Sequence, residues 1–214
     1  MATDSFYEFL LDFYKQMFKA IKPGGSFYIF HADNEAINFR KALEAAGGQV
    51  RECLIWVKNT FTLGRQDYQR RHEPCLYGWK EGAAHYFVDN RRQSTVIEDE
   101  SYIDEMNINE LRDALREVYF GDGIANTILH EDKPTKSELH PTMKPVNLIA
   151  RLLLNSSKKG DIVFDGFGGS GTTMMAAEQL GRKAYLMELN PHYVDAILYR
   201  WEQYTGKNAV RVDA

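Results

Sequence analysis

One segment constrains this chain more than any other. Asp161-Ile162-Val163-Phe164-Asp165 reads as an apolar strand, Gly166 to Gly171 as a glycine turn, and Thr172 to Leu180 as a helix stopped by Gly181. Strand, tight turn and helix in that order form the repeating unit of parallel α/β sheets. The glycines let the backbone approach a ligand closely, and the helix behind them offers unpaired N–H groups. The segment therefore predicts an α/β domain with a ligand site at the turn.

Three ligand chemistries compete for that turn. A P-loop has the glycine spacing of Gly166 and Gly171, but Thr172 stands where the phosphate-binding lysine belongs. That reading fails. A dinucleotide fold needs Gly-x-Gly-x-x-Gly, which Gly166, Gly168 and Gly171 satisfy, and an acidic strand end about 20 residues on, a place Glu188 fills. Against it, Asp165 puts a carboxylate where a pyrophosphate would have to lie. S-adenosylmethionine (SAM) carries a sulfonium, an ammonium and a ribose diol, and no phosphate. Asp165 suits its amino-acid end and Glu188 its two ribose hydroxyls.

The rest of the chain supports an α/β reading. Phe6, Phe9, Leu10, Phe13, Met17, Phe18 and Ile21 recur at helical spacing behind a Ser5-x-x-Glu8 capping box, and Lys22-Pro23-Gly24-Gly25 ends the run. Ser26–His31 reads as a buried strand, Asn38–Ala46 as a short helix and Glu52–Lys58 as a strand. Asn59 to Glu73 reads as a polar loop and Cys75–Trp79 as a further strand. Between 81 and 140 only one helix is predicted, near Glu110–Tyr119 with Asn107 as its cap. Pro145 suits the first turn of the next helix, Ala184–Glu188 is a strand, and Pro191–Tyr204 is a helix. Alternating strands and helices predict a largely parallel sheet.

Charge is unevenly spread. The chain of 214 residues has a net charge of −4, but residues 98–138 hold 12 acidic and 4 basic side chains. The remainder is mildly basic, so a polyanionic partner stays possible. Cys53 and Cys75 are too far apart for a Cys-x-x-Cys site, and the six histidines lack zinc-ligand spacing, so no metal is expected. No apolar run approaches the roughly 20 residues of a membrane span. A cytoplasmic protein without a membrane partner is expected.

Two motifs then carry a family resemblance. Asp165-Gly166-Phe167-Gly168-Gly169-Ser170-Gly171-Thr172-Thr173 resembles the Asp-Pro-Phe-x-Gly-Ser-Gly-Thr-Thr motif of DNA amino-methyltransferases, with Gly166 in place of the usual proline. His140-Pro141-Thr142-Met143-Lys144-Pro145 resembles the segment that precedes it in β-type members. Lys22-Pro23-Gly24-Gly25, Trp56-Val57-Lys58-Asn59, His72-Glu73 and Glu188-Leu189-Asn190-Pro191 are similar to further family segments. The likeness covers nearly all of the chain except about 98–138.

The resemblance implies a Rossmann-like, SAM-dependent methyltransferase sheet with helices on both faces and a helical acidic insertion. It implies three stretches: strands and helices of the catalytic half over 1–80, an insertion or target-recognition region over 81–139, and a SAM-binding half over 140–214. SAM would be held by Asp165, Gly166, Phe167, Gly168, Gly169, Ser170, Gly171 and Thr172, with Glu188 on the ribose. His140, Thr142 and Lys144 would close the pocket. The reaction implied is methyl transfer from SAM to an exocyclic amine of adenine or cytosine in double-stranded DNA, the base being flipped out of the duplex. Arg65, Gln66, Arg70 and Arg71, with Arg91 and Arg92, would contact DNA.

The family's catalytic Asp/Asn-Pro-Pro-Tyr/Phe motif should precede Lys22, and no such motif stands in these residues. Asn190-Pro191-His192-Tyr193 has histidine at the second proline position and ends the ribose strand. No catalytic residue is assigned. The expectation is a truncated enzyme, or one part of a split enzyme that works as a homodimer or with a complementing N-terminal chain. The alternatives are an inactive SAM- or DNA-binding relic, a nicotinamide or flavin oxidoreductase on the literal glycine pattern, and a methyltransferase acting on RNA or protein.

Overall fold

A computed structural model describes residues 3–62, 65, 67–89, 95–97 and 143–212. The chain divides into two compact units, 1–131 and 132–214, described here one at a time.

The first unit opens with helix α1 (Thr3–Ala20), which begins ahead of the cap expected at Ser5. Strand β1 (Ser26–Phe30), a 3-10 turn (Asp33–Glu35) and helix α2 (Ala36–Ala45) follow. Strands β2 (Glu52–Thr62) and β3 (Arg70–Trp79) form a long hairpin, and β4 (Val96–Ile97) is a short edge strand. Sheet order is β1-β3-β2-β4.

Two expectations change here. The sheet of this unit is not largely parallel: β3 runs antiparallel to both β1 and β2, and only β4 lies parallel to β2. The polar loop expected over 59–73 is also shorter, because both hairpin strands extend into it and Thr62 pairs with Arg70. A hairpin arm that leaves the core needs no apolar alternation, so its polar residues gave no strand signal.

The register explains the core. Phe27 and Ile29 of β1 share a face with Leu76 of β3 and Cys53 of β2, and helices α1 and α2 cover that face with Leu10, Tyr14, Met17, Phe18, Ala42 and Leu43. Burial pushes the Tyr14 phenol well above its ordinary value. Gly78 is required opposite Phe27, since a Cβ there would lie 2.5 Å from the Phe27 ring and 2.3 Å from the Gln49 carbonyl oxygen. On the opposite face Tyr28 stacks on Tyr77 with ring centroids 4.8 Å apart.

The second unit contains helix α3 (Val146–Ser156), strand β5 (Ile162–Asp165), helix α4 (Thr172–Gln179), strand β6 (Lys183–Leu186) and helix α5 (Pro191–Thr205). Pro145 is the N-cap of α3, one position before the expected first turn. Strands β5 and β6 are parallel, in register from Ile162 opposite Lys183 to Asp165 opposite Leu186. Leu148, Leu152, Met175, Ala176, Ala177 and Ile197 are buried. Arg182 ties the end of α3 to the turn before β6 by donating to the carbonyls of Ser157 and Leu180 at 2.8 and 2.7 Å. The expected acidic helix at 110–119, capped by Asn107, lies outside the described residues. So do residues 90–94 and 98–139 of the expected insertion.

Candidate functional site

The glycine turn sits at the carboxyl end of β5, where parallel α/β sheets bind ligands. It is built by hydrogen bonds that close on two carboxylates. Asp165 accepts from the Phe167 N–H at 3.0 Å with one oxygen and from the Thr173 hydroxyl at 2.6 Å with the other. Glu188 accepts from the Gly169 N–H at 2.8 Å and from the Asn190 N–H at 2.9 Å. The Gly168 N–H donates to the Met187 carbonyl at 2.8 Å. The turn is thereby fixed to both strand ends.

Gly171 caps α4 with φ +79°, a left-handed conformation that a side chain resists. A Cβ there would also meet Ile197 of α5 at 3.0 Å. The same isoleucine lies 3.2 Å from a Cβ built on Gly168. Glycine is thus favoured at Gly171 by its backbone conformation, and a side chain at either position would press on Ile197 where helix α5 packs against the turn. Arg200 of α5 donates a hydrogen bond to the Ser170 carbonyl, and its burial lowers its pKa.

The structure places the predicted residues unequally. Asp165 to Thr172, Glu188 and Lys144 come together around one turn. Ser170 and Thr172 are buried, with hydroxyls 3.4 Å apart, and the Thr172 hydroxyl donates to the Lys144 carbonyl at 3.1 Å. Lys144 is therefore tied to the turn through its backbone. Phe167, Met187 and Leu189 stay exposed on the turn and the strand end, Leu189 at 98%. His140 and Thr142 lie outside the described residues.

Sequence reasoning missed Thr173, Asn190, Ile197 and Arg200. Thr173 was visible as the second threonine of the motif. Asn190, which accepts from the His192 N–H at 3.0 Å, was visible as an N-cap just before Pro191. Ile197 and Arg200 carried no sequence signal, because their role depends on how α5 packs.

In the first unit, Arg65 is exposed, and Arg70 and Arg71 are exposed at the start of β3. Arg71 donates through Nε to the Lys58 carbonyl at 2.8 Å, which holds its guanidinium beside the hairpin. Gln66, Arg91 and Arg92 lie outside the described residues. Among the described residues no helix is long and apolar enough to cross a membrane.

Comparison with known proteins bears on this geometry. The N6_N4_Mtase family model, described as DNA methylase, matches residues 2–199. The Type II methyltransferase M.BglII of Bacillus subtilis is 27% identical over 191 residues, covering 85% of this chain and 52% of that protein. M.HpaI of Haemophilus parainfluenzae is 27% identical over 193 residues, covering 90% and 58%. The chain thus spans between half and three-fifths of the length of these relatives. Among solved structures, M1.HpyAVI in complex with SAM superposes with a TM-score of 0.63 at 23% identity, covering 89% of this chain and 81% of that one. The cytosine-N4-specific PvuII DNA methyltransferase gives 0.64 at 19% identity, covering 94% and 72%. The fold is therefore the α/β Rossmann-like methyltransferase fold.

Proposed function

Because the chain belongs to the N6_N4_Mtase family of DNA methylases, we propose that it holds SAM at the glycine turn and serves methyl transfer to an exocyclic amine of adenine or cytosine in DNA. The observation that carries this reading is the pair of carboxylates at one turn, Asp165 and Glu188, each bound to backbone N–H groups. The Asp165 carboxylate, at the end of the strand before the glycines, opposes a pyrophosphate and favours a cationic group, while Glu188 suits a ribose diol. This weighs against a nicotinamide or flavin cofactor.

The residues fit SAM. Glu188 accepts from the Gly169 and Asn190 N–H groups through different oxygens, and a carboxylate of this kind can also accept from a ribose diol. Phe167, Met187 and Leu189 expose apolar surface for a flat heterocycle. Asp165 holds the Phe167 N–H and the Thr173 hydroxyl in place and puts negative charge near the cofactor's amino-acid end. Lys144 closes the turn from the α3 side. When bound, SAM supplies an electrophilic methyl group on its sulfonium.

The acceptor amine is a weak nucleophile, since its lone pair is delocalised into the base. Acceptors for its hydrogens are the remaining requirement, and none is assigned among these residues. Cofactor binding and methyl transfer are therefore separable. Isothermal titration of the 214-residue chain with SAM tests the first. Glu188→Gln turns one acceptor oxygen into a donor facing a backbone N–H, and should weaken SAM by at least about tenfold, ~1.4 kcal/mol. No heat with SAM, or equal affinity in the variant, sinks the reading. Transfer of labelled methyl to duplex DNA, with and without a supplied Asp-Pro-Pro-Tyr segment, tests the second and separates an enzyme from a binding relic.

A further inference from the structure

The connection between β2 and β3 carries an aromatic ring that the fold does not use. The two strands stay paired as far as Thr62 and Arg70. Tyr68 lies between these residues and is 90% exposed. Lone exposed apolar residues are common on protein surfaces, so exposure alone assigns nothing. Tyr68 is set apart by what surrounds it in the chain. Residues 62–71 hold Arg65, Arg70 and Arg71 against a single acidic residue, Asp67, and all three arginines are exposed.

The hairpin is braced just before this connection. Trp56 of β2 is 2% exposed. Lys58 Nζ lies 5.1 Å from the centroid of its ring and 3.0 Å from a Glu73 carboxylate oxygen of β3. The side chains of that ion pair are only 20% and 21% exposed. Arg71 Nε donates to the Lys58 carbonyl at 2.8 Å. Side chain and backbone thus tie one strand to the other. A braced hairpin loses less entropy when its connection docks than a free loop would.

A flat ring among cations has a definite use on DNA. Arginines neutralise phosphates, and an aromatic face stacks on bases whatever their sequence. An enzyme that modifies a base takes it out of the stack and pays for the lost stacking and pairing. Side chains that open a base step do so by entering it. We propose that Tyr68 fills the gap a displaced base leaves in the duplex, stacking on the bases that border it while Arg65 and Arg70 hold nearby phosphates. This rests on the reading that duplex DNA is the substrate. It adds a positioning residue that shifts the extrusion equilibrium and touches none of the reacting atoms.

The test is fluorescence anisotropy of the full chain with two labelled duplexes of one sequence, intact and with a single abasic site. An abasic site offers the gap without the cost of extrusion. The chain should bind the abasic duplex at least about fivefold more tightly. Tyr68→Ala should bring the two affinities within about twofold, and Tyr68→Phe, which keeps the stacking face, should retain the preference. Tyr68→Ala should leave the salt slope unchanged, because no phosphate contact is lost. The exposed position means that both variants should melt with the parent chain. Equal binding of the two duplexes by the parent chain, or a preference that survives Tyr68→Ala, overturns the proposal and leaves DNA binding standing. A change of oligomeric state in Tyr68→Ala with the preference intact assigns the ring to a protein contact and overturns it too. Binding to neither duplex overturns it together with the DNA reading, while SAM titration still reports on the glycine turn.

Discussion

Asp165 illustrates how one residue serves two requirements. Its charge selects against phosphate, and both of its oxygens are already engaged, with the Phe167 N–H and the Thr173 hydroxyl. A hydrogen bond from a hydroxyl to a carboxylate at 2.6 Å belongs to the stronger, charge-assisted kind. Thr173→Val keeps the side-chain shape and removes the donor. It should destabilise the chain by about 1 kcal/mol, less than a fully buried pair because Asp165 is only half-buried. Thr173→Ser should recover most of that. Urea unfolding of the three proteins measures both, and unchanged midpoints for Thr173→Val would show the hydrogen bond to be energetically idle. Asp165 itself was legible in the sequence, from its place before the glycines. Thr173 stands in the same motif as its second threonine, but its pairing with Asp165 was not legible, because a threonine inside a helix start carries no charge or periodicity that marks its partner.

At the scale of elements, helix ends decide which segments hold their places. Helix α1 ends at Ala20, and Lys80, the residue after β3, reaches its last turn. Lys80 Nζ donates to the carbonyls of Phe18 and Ile21 at 2.6 and 2.8 Å. A cation there satisfies orphan carbonyls and opposes the negative end of the helix dipole. Lys80→Met keeps the stem and loses the charge, and should cost about 1 to 2 kcal/mol. Denaturant unfolding checks the loss. Amide exchange should place it at 17–25, the end of α1 and the turn that β3 holds through the Gly24 N–H to Lys80 carbonyl bond. None of this is visible in the sequence. The residues show that α1 stops at Lys22-Pro23-Gly24-Gly25, but not that residue 80 caps it, since the interaction requires the β1–β3 pairing. The same pairing hid the antiparallel sheet of the first unit. Apolar alternation reports which face of a strand is buried and says nothing about the direction of its neighbour. In the second unit β5, α4, β6 and α5 are local in sequence, and their order was readable from glycines and caps.

At the scale of the whole molecule, charge is unevenly divided along the chain. Residues 98–138 carry a net −8 while the chain as a whole carries −4, so the remaining surface is net basic. The exposed arginines Arg65, Arg70 and Arg71 lie on the hairpin of the first unit. A DNA-contacting role for them is the expectation that the family resemblance carries. Strands β2 and β3 stay paired as far as Thr62 and Arg70, and Arg70 and Arg71 are exposed there. Arg71 is braced by the Lys58 carbonyl, which lowers the entropy lost on meeting a phosphate. If these side chains neutralise phosphates, binding releases counterions and the logarithm of the association constant falls with the logarithm of salt. The slope drops by about 0.9 for each phosphate of duplex DNA that is no longer neutralised. Replacing Arg65, Arg70 and Arg71 together by alanine should therefore flatten the salt dependence by about 2 to 3 and weaken binding most at low salt. Fluorescence anisotropy with a labelled duplex between about 50 and 200 mM salt reads both quantities. SAM affinity, set at the glycine turn of the other unit, should stay unchanged in the same variant. An unaltered slope would remove the hairpin from the proposed DNA interface and leave the basic balance outside residues 98–138 as a property of solubility alone.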